Sequence, residues 1–442
     1  MRSQRLFILA MSFFIAASIG YSKESNSVRS YHNLNSKLNQ IAESYAKLVL
    51  AVGQHDSNYV DAFYGPKEWL TEAYSAKKSI DVIRQVALPL AAELDSLDSN
   101  NEEEIIQLRH QYLKKQLSSL IAHVNALGGK KFSFDEEAKA YYDVDPPSFS
   151  EEHFKKLVAE LDTIIPGNGS ISERVVNYRR LFIIPPDKVD TVLRVAIREC
   201  RTRTKKHIKL SENETYRLEY VHNKPWGAYN WYKGNRESLI QINTDIAVRL
   251  HSIIDLAAHE GYPGHHVYNC LLETEFASKR GWVEFTVYAL FSPQSLIAEG
   301  TANFGIEVAF PGKERMEFER DVLFPLAGFD KSLAEKYSKV QSLIAKLSYA
   351  GNEAARRYLN GEISREEAAQ WLVNYTLRSP KEAQFEIGFI EQYRSYVINY
   401  NLGLDLVRQY IERRGGTEDK PEKRWEEFAK LISSPRLPSG LR

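Results

Sequence analysis

Apolar residues recur three and four positions apart over most of the chain, a spacing that predicts a protein built mainly of helices. The pattern holds from Val28 to about Leu127, through HNLNSKLNQIAESYAKLVLAV (32–52) and IIQLRHQYLKKQLSSLIAHVNAL (105–127). Between these runs lies an aromatic segment, Tyr59 to Pro66, whose Gly65-Pro66 pair interrupts helix formation and predicts a turn. Ala126 to Gly129 reads as a loop. Ser148 to Ile164 opens on a capping-type serine and carries one apolar stripe, and Pro166 to Ser170 follows as a linker. A helical N-terminal lobe over 23–165 and a second lobe over 171–442 are therefore expected. In the second lobe Ser238 to Asn243 alternates as a strand, and Asn243 or Thr244 could cap a helix over Asp245–His259. From Trp282 onward the spacing is again mostly helical. The expected fold class is mainly α with a short β-sheet, in a large two-lobed architecture.

Residues 1–22 follow a different pattern. Arg2 and Arg5 flank the start of an apolar run, Leu6 to Gly20, of 15 residues. That is short of the ~20 residues a membrane-spanning helix needs. Small residues at Ser18, Gly20 and Ser22 suit signal-peptidase cleavage. The expectation is a signal peptide over 1–22 and a mature protein exported to the periplasm or secreted, with an uncleaved anchor helix as the alternative. No cysteine follows the run to carry a lipid, and no later segment reaches ~20 uninterrupted apolar residues, so no stable membrane insertion is expected after cleavage.

Composition narrows the function classes. Lys+Arg 58 against Asp+Glu 58 removes a global electrostatic case for nucleic acid. Two cysteines, Cys200 and Cys270, cannot make a thiolate zinc cluster; they could pair or be two buried thiols. The basic run Arg198, Arg201, Arg203, Lys205 and Lys206 reads as a solvated helix face, or as a grip on an anion. The 25 Tyr, 20 Phe and 6 Trp suggest a rigid aromatic core or a cleft for extended ligands.

Chemistry concentrates in one stretch. In His259-Glu260-Gly-Tyr-Pro-Gly-His265-His266, three of the eleven histidines lie within eight residues, beside a carboxylate and directly after an apolar helical run. Neutral imidazole is a good zinc ligand, and a glutamate next to a ligand histidine can deprotonate a metal-activated water. The standard HExxH spacing is absent, because position i+4 is Pro263. On an unbroken helix His266 returns to the face of His259, about 10.5 Å further along the axis. If Pro263-Gly264 instead bulges the chain, His265 takes the i+4 role, and His266 contacts substrate or supports a ligand. The bulge is favoured, with His266 as ligand the alternative. No histidine follows His266, so a third ligand further on must be a carboxylate. Glu299 provides one within SLIAEGTANFGIE, a helical context that also holds Asn303. The strand Leu239–Ile242, with Ile240 and Ile242, could present an edge to an extended peptide. Ordinary capping or surface roles for these residues, or a closed structural zinc site, are the bland alternatives.

HEGYPGHH (259–266) together with EGTANFGIE (299–307) resembles the bacterial DUF885 family of predicted zinc metallopeptidases, whose motifs run HExxPGHH and EGWAxYxE. The resemblance extends from Ala51–Pro66 to YNLGLDLVRQYIERR near the end of the chain. It implies a helical, gluzincin-like core, with His259, His265 and Glu299 holding one Zn2+ and Glu260 as general base and acid. It also implies a role for Tyr400, which with Gly403 matches a family pattern and could donate to an oxyanion. Thr301 and Phe304 replace the Trp and Tyr of the second motif, and Tyr396 stands where a glutamine is often found. The function expected is an exported zinc-dependent peptidase with a peptide substrate. The alternatives are a zinc amidase acting on cell-wall muropeptides and a non-catalytic peptide-binding protein on a peptidase scaffold.

Overall fold

Leu38, Ile41, Tyr45, Val49 and Val52 are all buried, one inward stripe of the helix over 34–52. The computed structural model describes residues 34–442; the expected signal peptide over 1–22 and the first residues of the N-terminal lobe lie outside them. Helices dominate the rest of the chain as well, and S-x-x-E signatures start several of them. Ser133, Ser170, Ser364 and Ser379 each cap a helix reciprocally with the glutamate three residues on. Ser150 caps the helix Glu151–Ile164. The molecule is mainly α with two small sheets.

The described residues include five strands: β1 (Val60–Phe63), β2 (Thr215–Val221), β3 (Ala228–Tyr232), β4 (Glu237–Asn243) and β5 (Val287–Ala289). The segment expected as a turn at Tyr59–Pro66 is therefore largely a strand. β1 pairs antiparallel with β5, Ala62 opposite Tyr288, and this long-range pairing supplies the backbone partners a turn would not need. The second sheet runs β2-β4-β3, with β4 parallel to β2 and antiparallel to β3. This corrects the expectation that Ile240 and Ile242 lie on an edge. β4 has neighbours on both sides, so its backbone groups are already paired, and β2 and β3 are the edges, β3 being the one that lines the cavity over His259 and Glu260.

The helix expected over Asp245–His259 begins only at Leu250. Before it the chain is held extended: Ile184 donates to the Val248 carbonyl and Leu250 to the Phe182 carbonyl, both at 3.0 Å. Asn243 is occupied in supporting the loop before β3, its Nδ2 donating to the carbonyls of Lys224 and Trp226, each at 3.0 Å.

The 104–127 helix packs directly on the later part of the chain. Tyr112 donates to Gln294 (2.6 Å), Ser119 donates to the Phe291 carbonyl (2.7 Å), and Arg109 forms a forked pair with Glu284 at 2.6 and 3.1 Å. The Arg109 and Glu284 side chains have no exposed surface. One buried apolar cluster runs through residues on both sides of the 166–170 linker. Cys200 and Cys270 are separate buried thiols. On the helix Pro186–His207, the basic run is partly ion-paired, Arg201 with Glu214 and Arg203 with Glu199. Among the described residues no helix is long and apolar enough to cross a membrane.

Candidate metal centre

The Leu250–Leu256 helix does not continue regularly into His259. It widens into a π-turn over Ala257–Gly261, in which Tyr262 donates to the Ala257 carbonyl five residues back. Gly264 then folds under it, donating to the Ala258 carbonyl at 2.9 Å. A Cβ at Gly264 would lie 2.0 Å from the His259 carbonyl oxygen, so only glycine fits this corner. A new helix, His265–Leu272, starts immediately, with His265 as its first residue. The turn brings His265 back beside His259. Their rings meet edge to face, centroids 4.5 Å apart.

The carboxylate comes from the helix Pro293–Ala309, which crosses the helix Ile398–Arg413 at unusually close range. A Cβ on Gly300 would lie 2.5 Å from the Gly403 carbonyl carbon and oxygen, and one on Gly403 would lie 2.8 Å from the Leu296 oxygen. The two glycines thus let the backbones touch, which seats Glu299 between the histidines and the aromatic end of the other helix. Glu299 Oε2 lies 3.1 Å from His259 Nε2 and 3.7 Å from His265 Nε2. Tyr396 donates to Glu299 Oε1 at 2.7 Å, which fixes the carboxylate's orientation.

These three side chains offer one donor atom each, all within 4.8 Å of one another. Glu299 Oε2 is buried yet accepts no well-aligned hydrogen bond, an arrangement that a shared cation would satisfy. Two imidazoles and a carboxylate are also a ligand set found in catalytic zinc sites, so the residues fit the ion. His259 Nδ1 donates to Asn303 Oδ1 at 2.9 Å, and the amide is anchored by its Nδ2 donating to the Tyr400 carbonyl at 2.8 Å. That bond keeps a ring proton on Nδ1, so Nε2, which faces Glu299 and His265, is the atom that would bind an ion on giving up its own proton. Burial alone would lower the His259 pKa, but the adjacent Glu299, with Glu260 and Asn303, lifts it to about 9. Burial pushes Glu299 the other way, and the two histidines outweigh it, holding the carboxyl well below the usual range.

Glu260 is also buried, and burial raises its pKa, the nearby histidines opposing the shift. Its backbone carbonyl accepts a 2.6 Å hydrogen bond from Asn230 of β3, which ties the π-turn to the sheet edge. A cavity of about 410 Å³ opens over Glu260, His259, His265 and Glu299. Tyr229, Tyr288, Tyr393, Tyr396 and Tyr400 line much of it, and the Tyr400 ring lies roughly parallel to His259, centroids 6.5 Å apart.

The remaining sequence expectations divide. Asn303 supports His259. Ile242 lines the cavity, whereas Ile240 is buried in the sheet. His266 stands apart from the trio: fully buried, it meets Ser238 at 2.8 Å through Nδ1 and Glu214 at 3.0 Å through Nε2. With no surface on the cavity it cannot reach a substrate there. It braces the corner, because Glu214 also accepts from Tyr262 (2.5 Å) and Arg201 (2.9 Å). Sequence reasoning missed three residues. Asp61 and Asn230 line the cavity from β1 and β3, and Tyr396 orients Glu299. Only Tyr396 carried a signal, lying four residues before Tyr400 at helical spacing.

No family model and no curated protein matches the chain. Several solved structures do resemble it. The "putative lipoprotein from Colwellia psychrerythraea" is 14% identical with a TM-score of 0.49, over 84% of this chain and 67% of that one. M32 carboxypeptidase from Deinococcus radiodurans R1 is 11% identical with a TM-score of 0.40, over 91% and 89%.

Proposed function

We propose that the protein is an exported zinc-dependent peptidase of the DUF885 type, with a gluzincin-like centre. The observation that carries the reading is the convergence of His259, His265 and Glu299 on one point, with the Glu260 carboxylate beside them on the same aromatic cavity. A zinc ion bound there would act as a Lewis acid, polarising a scissile carbonyl and acidifying a water. Glu260 takes the proton of the attacking water, and its burial favours a pKa closer to neutral than that of an exposed glutamate. The same carboxyl then delivers a proton to the leaving amine. Tyr400, whose ring lies alongside His259 on the cavity wall, would donate to the oxygen on which charge develops.

β3 supplies a template for an extended substrate. Asn243 donates to the Gly227 carbonyl and Lys233 to the Glu237 carbonyl, so positions 227, 229, 231 and 233 carry the bonds to β4. By alternation Ala228 and Asn230 turn their backbone groups outward, toward the side where a peptide strand would add.

Glu260→Gln tests this reading. It removes the base while leaving the three donors in place. The expected result is unchanged zinc stoichiometry with hydrolysis of a peptide library reduced by at least 10²-fold. Wild-type turnover by the variant contradicts the mechanism.

A further inference from the structure

Apart from the two histidines of the metal centre, the charged groups facing the cavity are all acidic. Among the described residues that line it there are four carboxylates, Asp61, Asp255, Glu260 and Glu299, and no lysine or arginine. Asp255 is paired with Arg315 at 2.8 Å, Glu299 belongs to the metal centre and Glu260 is the proposed base. Asp61 has no such duty. It reaches the cavity from β1, and its Oδ1 accepts a hydrogen bond from the Tyr229 hydroxyl of β3. Burial lifts its carboxyl to about 6, Tyr229 opposing the rise.

A second acceptor points to the same kind of ligand independently. Asn230 is buried, with only 7% of its surface exposed, and lines the cavity. Its Nδ2 is committed to the Glu260 carbonyl, which can only accept, so the amide orientation is fixed. Its Oδ1 is therefore an acceptor, and it has no hydrogen-bond partner. A buried acceptor without a donor is costly unless a ligand brings one. A carboxylate and an amide oxygen in one cavity that no lysine or arginine lines match a substrate's ammonium better than its carboxylate.

We infer that Asp61 and Asn230 form an ammonium subsite, so that the substrate is a peptide held by a positively charged amine rather than by its C-terminal carboxylate. The inference rests on the peptidase reading and names its substrate class. The amine could be the peptide's own N-terminus or a lysine side chain near the scissile bond.

Four probes separate the cases: tri-alanine amide, its N-acetyl form, the N-acetyl form with lysine at the first position, and N-acetyl tri-alanine with a free carboxylate. Binding to the purified full chain is followed by calorimetry, and turnover is measured with zinc present. The neutral N-acetyl amide is expected to bind about tenfold or more weakly than an amine-bearing probe, the loss of a hydrogen-bonded charge. Preference for the first probe identifies the N-terminal amine, and preference for the third a side-chain amine. Asp61→Asn should shrink the preference to about threefold or less. Should that variant fold poorly, the wild-type comparison still decides. Equal binding of neutral and amine-bearing probes, no binding of any, or tightest binding of the free carboxylate, overturns the subsite. Amine-dependent binding without cleavage leaves the subsite standing and removes the peptidase reading. Cleavage without amine preference does the reverse.

Discussion

Gly300→Ala adds one methyl group at the point where two helix backbones touch. The new Cβ would sit 2.5 Å from the Gly403 carbonyl group, whereas ordinary contact begins near 3.4 Å. The Pro293–Ala309 and Ile398–Arg413 helices must therefore part by about 0.9 Å. Neighbouring Glu299 moves with its helix, while Tyr396, which holds its other oxygen, stays with the opposite segment. Metal–ligand distances tolerate only about 0.2 Å, so this displacement breaks the cage geometry. The expected result is a zinc affinity lower by about 10- to 100-fold, with a stability loss of about 1–3 kcal/mol from overpacking. Chelator competition reads the first quantity and urea denaturation the second. Gly388→Ala is the control: nothing lies within 4 Å of its Cβ, so it should be neutral or slightly stabilising. Wild-type affinity and midpoint in Gly300→Ala would refute the claim that this contact positions Glu299.

Two further changes probe the frame around the site. Glu284→Gln leaves the Arg109 charge buried without its anion and should cost about 3–5 kcal/mol, whereas replacing both with apolar residues of similar size should recover most of it. Denaturation midpoints decide, and a loss under about 1 kcal/mol, or no recovery in the double variant, counts against the buried pair. Glu214, though burial pushes it up, is held at about 2 by His266, Tyr262 and Arg201. A depressed carboxyl stabilises the fold above its unfolded pKa of ~4.3 and loses that contribution as pH falls toward the folded value. The stability gap between wild type and Glu214→Gln should thus be largest at pH 6–7 and close between about pH 4.5 and 2. A gap that is constant across that range contradicts the assignment.

The chemistry of the site was more legible in the sequence than its frame. His259, Glu260, His265 and Glu299 are written as two short motifs, and Pro263-Gly264 signals that the helix must bend between the histidines. The direction of His266 follows from the π-turn and from Glu214, which lies 52 residues earlier, so adjacent histidines that look equivalent in the chain part company. β1 and β5 are strands of four and three residues whose pairing joins positions more than 220 apart, and no local periodicity reveals that. β4 proved central, with β2 and β3 at the edges, for the same reason. Alternation marks a strand but says nothing about which neighbours flank it. Asp61 reads as one acid in an aromatic segment until β1 carries it to the cavity.

The central claim is that one divalent ion sits among His259, His265 and Glu299. The most direct measurement is the metal content and zinc affinity of the purified protein, compared with His265→Ala, Glu299→Ala and His266→Ala. The account predicts close to one zinc per chain in the wild type, its loss in the first two variants, and its retention in His266→Ala wherever that variant folds. A wild-type protein that binds no divalent ion, or a Glu299→Ala variant that holds zinc as tightly as the wild type, would contradict it.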